Sequence, residues 1–437
     1  MIPGLKPKEA TAIINSLVGG VVPKIGVQHI TVGRSTEVEA FLQALNDVKN
    51  GHSMVKFWIG EYGSGKSFIL HLLNTVALKQ KFVVAQADFT PDNRLYSNDG
   101  KGRALYAAIM DNIAIQTMPE GGALPVLLEK WIEQMLLKTC QEHQIPMTAI
   151  RDAVHLPKIE ANILATVNGI TEVGGFDFAL VIMKYYQGFI GGDDQLKRNA
   201  LKWLKGEYHT KIEARQDLGV REYINDLNYY DMLKNWCKLF VSMGYNGFMI
   251  NLDEAVNLYK IGTAAMREKN YEKILTIYND CFQGKVSNLF LNIAGTLDFL
   301  ENERRGLFSY QALKSRLETN RFETREIRDF AQPVIRLLPL DHNQIFVLLK
   351  TLKDIFEFNY SVSMTVTDED ILFFMEELFN KPGASEFLTP REVIRDFLSI
   401  LSLLRQNPSL DKKQLFGNLV VHDERPNDLL LEDIEEL

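Results

Sequence analysis

The octapeptide Gly60-Glu61-Tyr62-Gly63-Ser64-Gly65-Lys66-Ser67 matches the pattern G-x-x-x-x-G-K-[ST] without a mismatch. Val55 to Ile59, just before it, is a short apolar run rich in β-formers, and Phe68 to Leu78, just after it, has helical periodicity. A strand, a glycine loop and a helix in that order confine the chain to an α/β fold in which the loop leaves the end of a strand. The glycines let backbone N–H groups turn toward phosphate oxygens, Lys66 reaches the β- and γ-phosphates, and the Ser67 hydroxyl ligates Mg²⁺. The helix adds its positive N-terminal end to the same place. The segment from Gly60 through Phe68 is therefore the expected site for a nucleoside triphosphate. The bland alternative, an ordinary glycine turn, is disfavoured by the strand before it and the helix after it.

Magnesium nucleotide also needs an acid at a strand end, and Gly247 to Glu254 supplies one: Asp253 follows an apolar run, with Glu254 one position on. Asp253 is the expected metal carboxylate alongside Ser67, and Glu254 the group that orients or deprotonates an attacking water. Without the upstream loop the same pair reads as a helix cap with an acidic first turn. A further apolar run, Asn288 to Ala294, ends at Gly295-Thr296. Thr296 is the candidate to position the water or sense the γ-phosphate, with Asn292 second and a turn threonine as the structural alternative.

Arg304, Arg305, Lys314, Arg316, Arg321, Arg325 and Arg328 form a basic run. Most such residues are a solvated helix face. Arg316 is set apart by position, as an arginine presented to a neighbouring subunit's nucleotide. Thr389-Pro390-Arg391 opens a helix with proline in its first turn, from which Arg391 reaches phosphates from a lid.

The remaining pattern fits a core with additions. Residues 8 to 20 read as a helix with Ala10, Ile13, Ile14 and Leu17 on one face. A helix capped by Ser35 turns Val38, Phe41, Leu42 and Leu45 inward, and Lys81 to Asp88 reads as a second buried strand. The expected division is an N-terminal arm over 1–34, a nucleotide-binding core over 35–335 with a helical insertion at 120–225, a helical lid over 336–406, and a tail over 407–437. The stretch Asp423 to Leu437 holds seven acidic residues against one arginine. A net charge of -8 argues against a surface devoted to nucleic acid. Three dispersed cysteines indicate neither a zinc site nor a disulfide framework, and no signal peptide or membrane span is evident. A cytoplasmic protein with no membrane partner is the expectation.

Val32-Gly33-Arg34 with its acidic helix, the glycine loop, Leu252-Asp253-Glu254, Gly295-Thr296, Ser315-Arg316 and Thr389-Pro390-Arg391 stand in the order seen in AAA+ ATPases of the replication-initiator clade. A closer resemblance is carried by His29 to Arg34, Ile59 to Ser67 and Pro119-Glu120-Gly121-Gly122-Ala123-Leu124-Pro125, which are similar to the ATP-binding proteins of BREX phage-defence systems, of the BrxD type. The resemblance spans about 20 to 405. It implies an AAA+ fold, a P-loop NTPase with a parallel sheet flanked by helices and a small C-terminal helical lid. It also implies ATP with Mg²⁺, Gly33 and Arg34 near the adenine, Thr296 as sensor one, Arg316 as the trans arginine finger and Arg391 as sensor two. Unlike the initiators, the chain has only about 30 residues after the lid, so their DNA-binding domain is not carried over.

The leading expectation is an oligomeric ATPase that remodels partner proteins of a defence system, or DNA. A slow nucleotide-dependent switch working as a scaffold is the alternative from another class, and a DNA loader using 304–328 is the third.

Overall fold

The computed structural model describes residues 2–150, 152, 154–170, 175–320, 322–324, 328–380 and 389–417. Arg321 and Arg325 of the basic run, and the acidic stretch 423–437, lie outside the described residues.

Five strands, β1 (Met54–Ile59), β2 (Val83–Asp88), β3 (Phe248–Asp253), β4 (Leu289–Gly295) and β5 (Val334–Arg336), form one sheet in the order β2-β3-β4-β1-β5. It is a parallel sheet: β2 pairs with β3 from Val83↔Phe248 to Asp88↔Asp253, and β3 with β4 from Phe248↔Leu289 to Leu252↔Ile293. The strands are near-continuous buried runs, as parallel strands covered on both faces must be. β5 was not anticipated, because three residues are too few to show periodicity; its approach to β1 is fixed by Phe57 N–H donating to Pro333 O at 2.7 Å.

Before β2 come α1 (Pro7–Val18), a 3-10 turn (Val27–Ile30), α2 (Ser35–Lys49) and α3 (Lys66–Lys79). Between β2 and β3 lie α4 (Lys101–Asp111), α5 (Leu124–His143), α6 (Leu156–Ile170), α7 (Gly175–Gly191), α8 (Asp194–Leu204), α9 (Lys211–Leu218) and α10 (Tyr229–Ser242). Next are α11 (Val256–Tyr259), α12 (Ala264–Phe282), α13 (Leu297–Glu301) and α14 (Gln311–Leu317), and after β5 come α15 (His342–Tyr360), α16 (Asp368–Phe379), α17 (Pro390–Gln406) and α18 (Lys412–Gly417).

The chain divides into two compact units. One comprises 40–58 and 76–335 and holds the sheet. Register places Phe248 and Phe290 on opposite faces, because Phe290 pairs with Met249. Phe240 of α10 meets Phe248 edge-on at 5.1 Å, and Phe41 of α2 meets Phe290 at 5.3 Å, so helices cover both faces. Phe41, Ala44, Leu45 and Val48 point inward, whereas Leu42 is exposed, a correction to the expected inner face of α2. Ser35 is the first helical residue of α2 and does not precede the helix as a cap.

Three buried side chains cross the sheet from β1 to β3. Trp58 Nε1 donates to Asn292 Oδ1 at 2.9 Å, and Asn292 Nδ2 donates to Asn251 Oδ1 at 2.7 Å. An indole N–H only donates, so it fixes which way the Asn292 amide faces. On β1, Lys56 Nζ donates to the carbonyls of Phe330, Ala331 and Gln332 at 2.9, 2.9 and 2.6 Å, anchoring the segment that enters β5. Burial pushes this amine down to about 8, with the Asp329 carboxylate opposing.

The other unit comprises residues up to Glu39, Ile59–Thr75, and the chain from Arg336 onward. Its core joins Ala10, Ile13 and Ile14 of α1 to Leu349 and Leu352 of α15, Ile371 and Phe374 of α16, and Phe397 and Leu401 of α17. The amphipathic N-terminal helix thus buries its apolar face in the same core as the C-terminal helices. Caps set the helix starts: Asp341 with Gln344 on α15, Thr367 with Asp370 on α16, and Thr389 with Glu392 on α17.

Candidate functional site

β1 runs directly into the loop 60–65, which belongs to the second unit, and α3 begins at Lys66. Gly63 and Gly65 take φ values of 80° and 91°, a region that favours glycine, and they give the loop its concave turn. The half-buried Lys66 donates from Nζ to the carbonyls of Gly60 at 3.0 Å and Glu61 at 2.8 Å, so its ammonium lies across the loop's own backbone. Ser67 is half-buried in the first turn of α3, and Tyr62 is exposed at the loop's tip. A curved backbone, an ammonium drawn over it and a hydroxyl at the helix start are the donor set that a magnesium triphosphate needs.

One other expected residue of the same unit, Arg34, meets this loop. The Arg34 guanidinium, 5 % exposed, donates from Nη2 to Ser64 O at 3.0 Å and to Leu338 O at 2.9 Å. Its Nη1 stands 3.5 Å from Glu37 Oε1. Gly33, with φ 68°, lies against Gln344 of α15, where a Cβ would come within 2.6 Å of the side-chain amide. At Gly63 a Cβ would come within 2.8 Å of Thr389 Cγ2, so the cap of α17 sits against the loop. Arg391 is exposed as the second residue of that helix, with its Cδ at 4.0 Å from the Cβ position of Gly20.

The remaining candidates belong to the sheet-bearing unit. Asp253 ends β3 buried, and Glu254 follows exposed, with φ 57°. Left-handed backbone at a residue with a Cβ is a local strain that surrounding structure must hold. Here Glu254 N–H donates to Asp253 Oδ1 at 2.8 Å, and Ala255 N–H donates to Ala294 O at 3.0 Å, tying this turn to the end of β4. Thr296, just past β4, accepts from Phe299 N–H at 3.3 Å as the cap of α13. Asn292 has both ends of its amide engaged in the Trp58–Asn251 chain and is fully buried, so it belongs to the sheet's interior. Arg316 is exposed on α14 and donates to Ala312 O at 2.6 Å on its own helix.

Asp88 was not singled out from sequence. Strand register sets it directly beside Asp253, which gives two carboxylates on one face at adjacent strand ends. The only hint in the sequence is an acid closing an apolar run, a pattern too common to act on without knowing that β2 and β3 are neighbours.

The family model described as BREX system ATP-binding protein BrxC/D matches residues 5–419. The chain belongs to that family. The match takes in every candidate residue from Gly33 to Arg391, including the helical segment between β2 and β3. A comparison with curated proteins gave no match. Among the described residues no helix is long and apolar enough to cross a membrane.

Proposed function

We propose that this chain is an AAA+ ATPase that binds ATP with Mg²⁺ on Gly60–Phe68, hydrolyses it, and uses the change of nucleotide state to remodel partner proteins or DNA in antiviral defence. The observation that carries the reading is the mismatch-free loop between β1 and α3, with its left-handed glycines and the Lys66 ammonium laid over its carbonyls. Membership of a family described as ATP-binding supports the nucleotide.

In this reading the loop's N–H groups and Lys66 hold the β- and γ-phosphates, and Ser67 and Asp253 hold the metal ion, with Asp88 adding negative charge beside Asp253. Mg²⁺ bound there would neutralise negative charge on the triphosphate. Glu254 accepts the proton of the attacking water as the γ-phosphoryl group leaves ADP. The exposed carboxylate on a strained backbone supports that role, since such strain concentrates at functional sites. Thr296 orients the water, Arg391 reads the γ-phosphate from the lid 336–406, and Arg316 enters the site of a neighbouring copy. That lid moves with nucleotide state, and the arm 1–34 contributes α1 to its core.

Glu254→Gln tests the chemistry. We expect ATP affinity within about threefold of wild type and turnover lower by about 100-fold or more, in line with loss of a positioned base. Wild-type turnover in Glu254→Gln, measured as phosphate release at saturating ATP, would remove Glu254 from the reaction.

A further inference from the structure

We infer that Arg34 is a positioning residue of the phosphate-binding loop, setting the orientation of the Ser64–Gly65 peptide, and that it makes no contact with the nucleotide base. The inference rests on the reading of Gly60–Ser67 as the nucleotide site and assigns Arg34 a different task in it.

A guanidinium is costly to remove from water unless its donors are satisfied and its charge is answered. Arg34 meets both conditions with its face to the loop: two backbone carbonyls at 3.0 and 2.9 Å and the Glu37 carboxylate at 3.5 Å, itself 3 % exposed. The carbonyl it grips belongs to Ser64, which lies between Gly63 and Gly65, both at positive φ. Glycines have the broadest choice of backbone conformations, so peptides beside them are the easiest in the loop to turn over. The Ser64 carbonyl and the Gly65 N–H share one trans peptide and point in opposite directions. A guanidinium holding the carbonyl on one side therefore presents the Gly65 N–H on the other. If the peptide turned over, a carbonyl oxygen would stand where an N–H belongs, and its partial negative charge would face the negatively charged phosphate oxygens.

The second anchor, Leu338 O, lies just past Leu337, whose N–H donates to Ile59 O at 2.7 Å. Arg34 thus ties the loop to the chain segment that flanks the loop's own entry. Gly65 completes the fit, with its Cβ position 3.8 Å from Arg34 Nη2.

The test compares full-length wild type, Arg34→Lys, Glu37→Gln and Lys66→Ala by calorimetric titration with Mg·ATP, Mg·GTP and Mg·tripolyphosphate. Because Arg34 acts on phosphate-facing backbone, Arg34→Lys should weaken all three probes by one common factor of about tenfold, the size of a lost charge-assisted hydrogen bond. The titrations are run well below the thermal midpoint, so that a merely structural role would lower the midpoint and leave affinity unchanged. A loss confined to ATP would make Arg34 a base contact and overturn the inference, as would unchanged affinity for tripolyphosphate. Should Arg34→Lys not fold, Glu37→Gln carries the test: a common loss of about threefold supports positioning, and no loss overturns it. If wild type binds none of the probes, the nucleotide reading falls with the inference. If wild type binds, Lys66→Ala does not, and Arg34→Lys binds like wild type, only the inference falls.

Discussion

At Asn292 both ends of one amide are taken by neighbours in the sheet, the Trp58 N–H on β1 and the Asn251 carbonyl on β3, with no exposure at either asparagine. Replacing it with leucine takes the acceptor from the buried Trp58 N–H and removes a donor from the Asn251 carbonyl, so two buried hydrogen bonds are lost. Asn292→Leu should lower unfolding free energy by about 2 to 4 kcal/mol, measured by urea denaturation. Lys56 is the second decisive residue. Its amine titrates from 10.5 in the unfolded chain to about 8 in the folded one, because burial disfavours the ammonium. Between those values the unfolded chain binds the extra proton, so this residue's contribution to stability rises with pH from about 8 to 10.5 and is least favourable below 8. Subtracting the pH profile of Lys56→Met from that of wild type over this window should isolate a rise of roughly 2 to 4 kcal/mol. Equal slopes for the two proteins would mean that Lys56 keeps its ordinary titration.

At the scale of elements, a helix start is fitted onto the glycine loop. Thr389 caps α17 through Glu392 and presents its methyl to Gly63, whose φ of 80° already disfavours a side chain. Gly63→Ala therefore meets two penalties, a strained backbone and a Cβ within 2.8 Å of Thr389 Cγ2. We expect ATP affinity to fall by about tenfold or more in Gly63→Ala, and Thr389→Ser in the same chain to recover part of it by removing the clashing methyl. Calorimetry on the single and double variants measures both steps. No recovery in the double variant would show that the backbone strain alone accounts for the loss. The same scale explains α1: its buried residues Ala10, Ile13 and Ile14 recur at three and four residues, and the surface they match is formed by helices more than 300 positions later in the chain.

For the whole molecule, turnover is expected to need more than one copy. Arg316 is exposed and bonded to its own helix, the disposition of a side chain available to a second chain. An arginine donated in trans leaves a signature in mixtures. Combining Arg316→Ala with Glu254→Gln should regain turnover, because a neighbour's intact Arg316 completes a site with intact Glu254. Each variant alone should run at least about tenfold below wild type, and the mixture should exceed the sum of the two. Phosphate release across a titration of one variant into the other decides it, and strictly additive rates would confine each site to a single chain.

The local elements were legible in the sequence because each is specified by contiguous residues. Runs of apolar β-formers became β1 to β4, the serine-ended glycine loop became a turn into α3, and Thr389-Pro390 became a helix start, all within a few residues of the bounds expected. What sequence could not supply was which separated elements meet. The three-residue β5, the pairing of Asp88 with Asp253, the place of α1 among the C-terminal helices and the grip of Arg34 on Ser64 all join residues far apart in the chain. Periodicity records which face of an element is buried and is silent on what buries it. The glycine loop was thus written in eight consecutive residues, and Arg34 has its counter-charge three residues away in Glu37, but the carbonyls of Ser64 and Leu338 that take up the buried guanidinium's donors were brought to it only by the tertiary fold, because a buried guanidinium needs partners that the local chain does not offer.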